Sequence, residues 1–151
     1  ILENMSLADN KGKGYGLTKG VNKARIEEYR ESLKQLNLGL EDKLYTKVGS
    51  LSGGQRQALA LLMSTMTPIE FLILDEHTEI IMELTDKIVR EKKVTTIMVT
   101  HNLRYAVEYG DRILMMHQGN AVLDKAGEEK KAINTEEIMG IFNRISVECG
   151  N

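Results

Sequence analysis

The sequence predicts an α/β fold in which a parallel sheet is flanked by helices and preceded by a largely helical region. Phe71–Leu74 is a short apolar run ending in Asp75-Glu76, and Val94–Thr100 is a β-branched run ending in His101. Both read as strands buried on both faces. Between them Ile80, Ile81, Leu84 and Ile88 recur at helical spacing, so the middle of the chain reads strand, helix, strand, the unit whose crossover is right-handed in nearly all proteins. Composition bounds the answer: 151 residues, 42% apolar and 28% charged, are enough for a real core in about one domain.

The elements follow in order. Residues 1–9 begin with Ile1 and carry acidic side chains without a basic stretch, unlike a secretory leader, and the chain reads as a piece of something longer. Residues 10–20 concentrate glycine and lysine and read as an irregular loop. They contain neither Gly-Lys-[Ser/Thr] nor Gly-x-Gly-x-x-Gly, so neither phosphate-loop template applies. Ile26, Tyr29, Leu33 and Leu36 mark an amphipathic helix with Gly39 as its expected C-terminal cap, and a loop leads through Lys47 and Gly49 to Ser52. A second helix carries the apolar run Ala58–Met63.

After the strand–helix–strand unit, Leu103–Tyr109 reads as a short helix closed by Gly110. Arg112–Met116 and Ala121–Leu123 flank Gln118-Gly119-Asn120 as a hairpin. A final helix carries Ile138, Ile141, Phe142 and Ile145, with Asn134 and Glu137 as its capping pair. Methionines such as Met63, Met66, Met98, Met115 and Met116 are expected as core filler.

Several classes are excluded. With 20 Lys+Arg against 22 Asp+Glu the net charge is -2, which argues against a strongly basic nucleic-acid module. Cys149 has no second cysteine to pair with, so no internal disulfide framework exists, and a reducing compartment is favoured. No apolar run approaches the roughly 20 residues of a membrane helix.

The chemistry concentrates in three strings. In Leu51-Ser52-Gly53-Gly54-Gln55, Ser52 and Gln55 stand as a capping box, and two glycines in the first turn clear the way to free backbone N–H groups. That combination is a candidate anion site. Asp75-Glu76 emerges at the carboxyl end of a strand, where open α/β sheets bind ligands, and adjacent strand residues face opposite ways, so the two carboxylates need not share a role. His101 ends the next strand. His77 and His117 lack such context.

Leu51–Gln55 followed by Arg56-Gln57, then Phe71–Glu76, then Thr100-His101, in this order, resembles the nucleotide-binding subunit of ATP-binding cassette (ABC) transporters, of an importer-like kind. The likeness is strongest over residues 45–124. It implies a P-loop NTPase-like sheet flanked by helices, with residues 1–66 forming a helical subdomain that carries the Leu51–Gln55 signature and residues 67–151 forming part of the catalytic core with a C-terminal hairpin and helix.

It also implies ATP and Mg2+ as ligands. Leu51, Ser52, Gly53, Gly54 and Gln55 would face the ATP of a second ATPase subunit in a head-to-tail dimer. Asp75 would hold Mg2+, Glu76 would polarise the attacking water, and His101 would sense the γ-phosphate. The partners implied are that second subunit and an integral membrane permease, with no nucleic acid, and the place implied is the cytoplasmic side, peripheral on the inner face of the cell membrane. A soluble ABC-type ATPase acting on ribosomes or DNA, and a degenerate, non-catalytic interaction module, are the alternatives.

The sequence departs from the family in three ways. No Walker A loop occurs in these residues, so the chain alone is expected to be inactive. The glutamine loop that precedes the helical subdomain is also missing. Finally, the Leu-Asp step that follows the acidic pair in the family is lacking between Glu76 and Ile80, which makes Thr78 and Glu79 the expected flanks of a gap.

Overall fold

A computed structural model describes residues 1–12, 21, 23–75 and 79–148. The chain divides into two compact units, Ile1–Met98 and Val99–Asn151. Glu76, His77 and Thr78, most of the glycine- and lysine-rich segment, and Cys149 lie outside the described residues, as does the expected gap before Glu79.

The first unit opens with α1, Leu2–Asp9, a helix that no apolar stripe in the sequence announces. Its apolar positions are few, but Leu2 and Met5 enter the core, and the Leu2 N–H donates to the Leu44 carbonyl at 2.8 Å. A single 3-10 turn, Lys23–Arg25, leads into α2, Ile26–Lys34, whose buried Tyr29 and Leu33 follow the expected stripe. The helix ends before Gly39. Asn37 and Gly39 both turn left-handed, at φ 53° and 64°, so the chain needs two such residues to reverse and Gly39 lies in that reversal instead of capping the helix.

Further 3-10 turns at Glu41–Lys43 and Val48–Ser50 lead to α3, Gly53–Ser64. Its buried face is Ala58, Leu59, Leu61 and Leu62. At its far end the buried Thr65 hydroxyl donates back to the Leu61 and Leu62 carbonyls, and Lys92 Nζ donates to the Thr65 carbonyl.

Strands β1, Phe71–Asp75, and β2, Thr95–Val99, are hydrogen-bonded neighbours joined through α4, Glu79–Lys92. The expectation of strands buried on both faces is corrected here. Leu72 and Leu74 are buried, whereas Phe71, Ile73 and Ile97 are 49%, 67% and 51% exposed. One face of the strand pair packs into the cluster shared with α1, α2, α3 and α4. Among the described residues no second layer covers the other, and alternation is the pattern that one-sided burial produces.

In the second unit, α5 (Leu103–Glu108) is followed by an antiparallel hairpin of β3 (Arg112–His117) and β4 (Asn120–Ala126). Gln118 and Gly119 both have positive φ, 45° and 79°, the backbone that a tight two-residue hairpin loop requires. The strands run longer than expected, and a bulge after Met115 shifts the register. Helix α6, Gly127–Ala132, has no counterpart in the sequence expectations, because its Glu-Glu-Lys-Lys sequence carries no apolar stripe. Helix α7, Thr135–Glu148, starts as expected, with Asn134 Oδ1 accepting from the Glu137 N–H at 2.9 Å. Ile113, Leu123, Ile133 and Ile138 form a separate small core. Met63, Met66, Met98 and Met115 pack against the two cores, but Met116 is 56% exposed, since it points away from the hairpin's packed face.

Candidate functional site

The best-defined feature is the turn that opens α3. Ser52 is extended at φ -64°, ψ 164°, and its hydroxyl accepts from the Gln55 N–H at 3.2 Å. In return the Ser52 N–H donates to Gln55 Oε1 at 3.2 Å, so the capping box expected from the sequence is complete. The first N–H groups of a helix have no partner inside it, and those of Gly53 and Gly54 lie in this turn.

Neither glycine is required by the chain itself. Both have ordinary helical φ, and among the described residues a Cβ added at either would meet nothing within 4 Å. A glycine in a helix costs about 1 kcal/mol relative to alanine, and here two are placed where the protein's own packing asks for neither. Bare backbone at this point favours a close approach from outside the chain.

Three contacts that the sequence does not reveal hold the turn. Gln55 Nε2 donates to the Leu38 carbonyl at 3.0 Å, Arg56 Nη1 donates to the Leu51 carbonyl at 2.7 Å, and Ser50 Oγ donates to the Lys47 carbonyl at 2.8 Å. Each joins a polar side chain to a backbone carbonyl whose position depends on how the loops fold. No residue pattern announces such a pair.

Asp75 is the exposed last residue of β1. His101 is exposed and lies between β2 and α5, in the second unit. The backbone around it is pinned on both sides. The Asn102 N–H donates to Thr100 Oγ1 at 3.0 Å, and Asn102 Oδ1 caps α5 by accepting from the Arg104 and Tyr105 N–H groups at 3.0 and 3.4 Å. Asn102 is missing from the residues that the sequence singled out, although an Asn directly ahead of a short helix is a recognisable N-cap. Leu51–Gln55 and Asp75 belong to the first unit and His101 to the second, while Glu76 lies outside the described residues.

Among the described residues no three His, Cys, Asp or Glu side chains gather into a metal cage. Mg2+ does not need such a cage, since it takes one or two carboxylates and completes its shell with water and substrate phosphates. The exposed Asp75 carboxylate is a hard oxygen donor of the kind that ion takes. None of the described helices is long and apolar enough to cross a membrane.

The mixed α/β fold is shared with the ATP-binding cassettes. A solved ATP-binding cassette of an ABC transporter superposes with a TM-score of 0.65, covering 93% of this chain and 61% of that one at 23% identity. The family model described as ABC transporter matches residues 1–79, and the chain belongs to that family. A tyrosine transport ATP-binding protein of Clostridioides difficile is 46% identical over 150 residues, or 94% of this chain and 59% of the relative. A phosphonates import ATP-binding protein of Oceanobacillus iheyensis is 33% identical over 73% of this chain and 45% of its own length. An energy-coupling factor transporter ATP-binding protein of Halalkalibacterium halodurans is 34% identical over 69% of this chain and 40% of its own. The chain thus spans about half the length of the curated relatives it matches.

Proposed function

We propose that this chain belongs to the ATP-binding subunit of an importer-like ABC transporter, which hydrolyses ATP to drive solute through a membrane permease from the cytoplasmic face. The observation that carries the reading is the Ser52–Gln55 turn: a complete cap, held from outside, that presents two glycines no neighbour among the described residues requires. The names of the relatives, a tyrosine transport protein and a phosphonates import protein among them, support the transport assignment.

In this reading residues 1–66 are the helical subdomain and residues 67–151 the catalytic portion. The Leu51–Gln55 segment of one subunit faces the ATP held by the other in a head-to-tail dimer, with backbone N–H groups and the helix N-terminus aimed at phosphate oxygens. A helix terminus is worth up to about 2 kcal/mol to a partly buried anion, enough to orient a phosphate that the opposite subunit already holds. Asp75 provides a carboxylate to Mg2+, which when bound neutralises charge on the phosphates. Glu76 orients the attacking water and accepts its proton. His101, on a backbone fixed by Thr100 and Asn102, donates to a γ-phosphate oxygen.

The test is made in the complete subunit. Glu76→Gln should keep ATP binding and slow hydrolysis by at least about a hundredfold, the lower end for loss of a general base. Equal loss of binding and turnover would remove Glu76 from the reaction and leave it a structural residue.

A further inference from the structure

Gln55 uses both ends of its side chain. Oε1 accepts from the Ser52 N–H at 3.2 Å, and Nε2 donates to the Leu38 carbonyl at 3.0 Å. The first bond is the reciprocal half of the cap. The second leaves α3 altogether and reaches the reversal after α2, where Leu38 sits between the two left-handed residues Asn37 and Gly39. A capping box needs only an acceptor at this position, which Glu supplies as well as Gln. Donation to a carbonyl needs the amide, because an ionised carboxylate accepts and cannot donate. The next residue repeats the pattern: Arg56 Nη1 holds the Leu51 carbonyl at 2.7 Å. Two consecutive side chains of α3 therefore reach back to two separate loop carbonyls, one on each side of the 3-10 turns that precede the helix.

We infer that Gln55 is a positioning residue for the Ser52–Gly54 turn, tying it to the Leu38 reversal so that the phosphate-facing turn and the segment after α2 keep one fixed relation. This rests on the nucleotide-facing role proposed above for that turn. Both polar ends of Gln55 are engaged within its own chain, so it acts through Ser52. A displacement of the reversal after α2 would be passed to the turn through the Gln55 side chain.

The test is Gln55→Glu in the complete subunit, read first by amide hydrogen exchange without nucleotide. The Gln55-position amide should stay slow, because the Ser52 cap survives. Amides of residues 36–44, such as Asn37 and Lys43 with their turn bonds to Lys34 and Leu40, should exchange about tenfold faster, the loss expected for one intramolecular hydrogen bond. Gln55→Met, which removes the acceptor as well, should in addition speed exchange at positions 52, 55 and 56.

Hydrolysis is read second. In Gln55→Glu, kcat should fall about tenfold with KM for ATP changed less than about twofold, the split expected when an interaction made only in the assembled state is disturbed. The added negative charge is separated from geometry by salt, since screening acts within about 3 Å at 1 M: a positional defect persists there and a repulsive one fades. Unchanged exchange over residues 36–44, or a kcat loss that disappears in high salt, would overturn the inference. Ser52→Ala reports on the underlying reading separately. If it leaves hydrolysis untouched, the turn does not face nucleotide, and that failure is distinct from an intact or broken Gln55 tether seen by exchange.

Discussion

The Tyr29 hydroxyl donates to Asp9 Oδ2 at 2.9 Å, and the Arg25 guanidinium reaches the same oxygen while lying over the Tyr29 ring, 5.6 Å from its centroid. The Asp9 side chain is only 8% exposed, so the last residue of α1 is a buried carboxylate that accepts from Arg25 in the 3-10 turn and from Tyr29 in α2. A buried charge survives only when it is paired and hydrogen-bonded. These contacts join α1 to α2 across the glycine- and lysine-rich segment.

Tyr29→Phe removes one of those donors and keeps the ring. The loss should lower the unfolding free energy by roughly 1–3 kcal/mol, the cost of leaving a buried acceptor short of a partner. Urea denaturation measures it; a change below a few tenths would mean that Asp9 is satisfied without the Tyr29 hydroxyl.

The same pair makes a pH prediction. Burial, and then the hydrogen bond to Asp9, push the Tyr29 hydroxyl above its ordinary value of 10.0. A group whose folded pKa is raised holds its proton more tightly when folded, so its stabilisation is full below pH about 10 and is lost as pH rises through the higher folded value. The stability gap between the native chain and Tyr29→Phe should therefore narrow as pH climbs past about 10. Parallel curves across that range would show that the hydroxyl does not titrate differently in the fold.

Gly54→Ala separates stability from function. With helical φ and no atom within 4 Å of a new Cβ, the substitution should stabilise the chain by about 0.4–1 kcal/mol, seen as a raised melting temperature. ATP turnover of the complete protein should fall, because the methyl group occupies the side from which a phosphate would approach. Unchanged turnover would mean that the bare turn receives nothing.

Asn102→Ala removes the cap on α5 and with it the anchor behind His101. The expected cost is about 1 kcal/mol, accompanied by loss of turnover in the complete protein with ATP affinity retained. Asn102→Asp, which keeps the accepting oxygen, should restore most of both. Failure of that rescue would assign Asn102 a role other than capping.

Local rules by themselves settle much of the chain. The spacing of Ile26, Tyr29 and Leu33 defines a helical stripe whatever it packs against, and Ser52 with Gln55, or Asn134 with Glu137, cap helices through bonds that span only three residues. The ordered motifs at Leu51–Gln55, Phe71–Glu76 and Thr100-His101 point to the family because each is a short backbone device with its own chemistry.

What only the tertiary structure decided depends on neighbours distant in sequence. The α1 helix has too weak a stripe to declare itself and is held by the buried Asp9 and by Leu44. The bare faces of Phe71, Ile73 and Ile97 depend on which layers surround the strands, which an apolar run does not specify. The bond from Gln55 to Leu38 spans 17 positions. Hydrogen bonds of that reach form only after loops have closed, and the conformation of a loop is set by the packing around it.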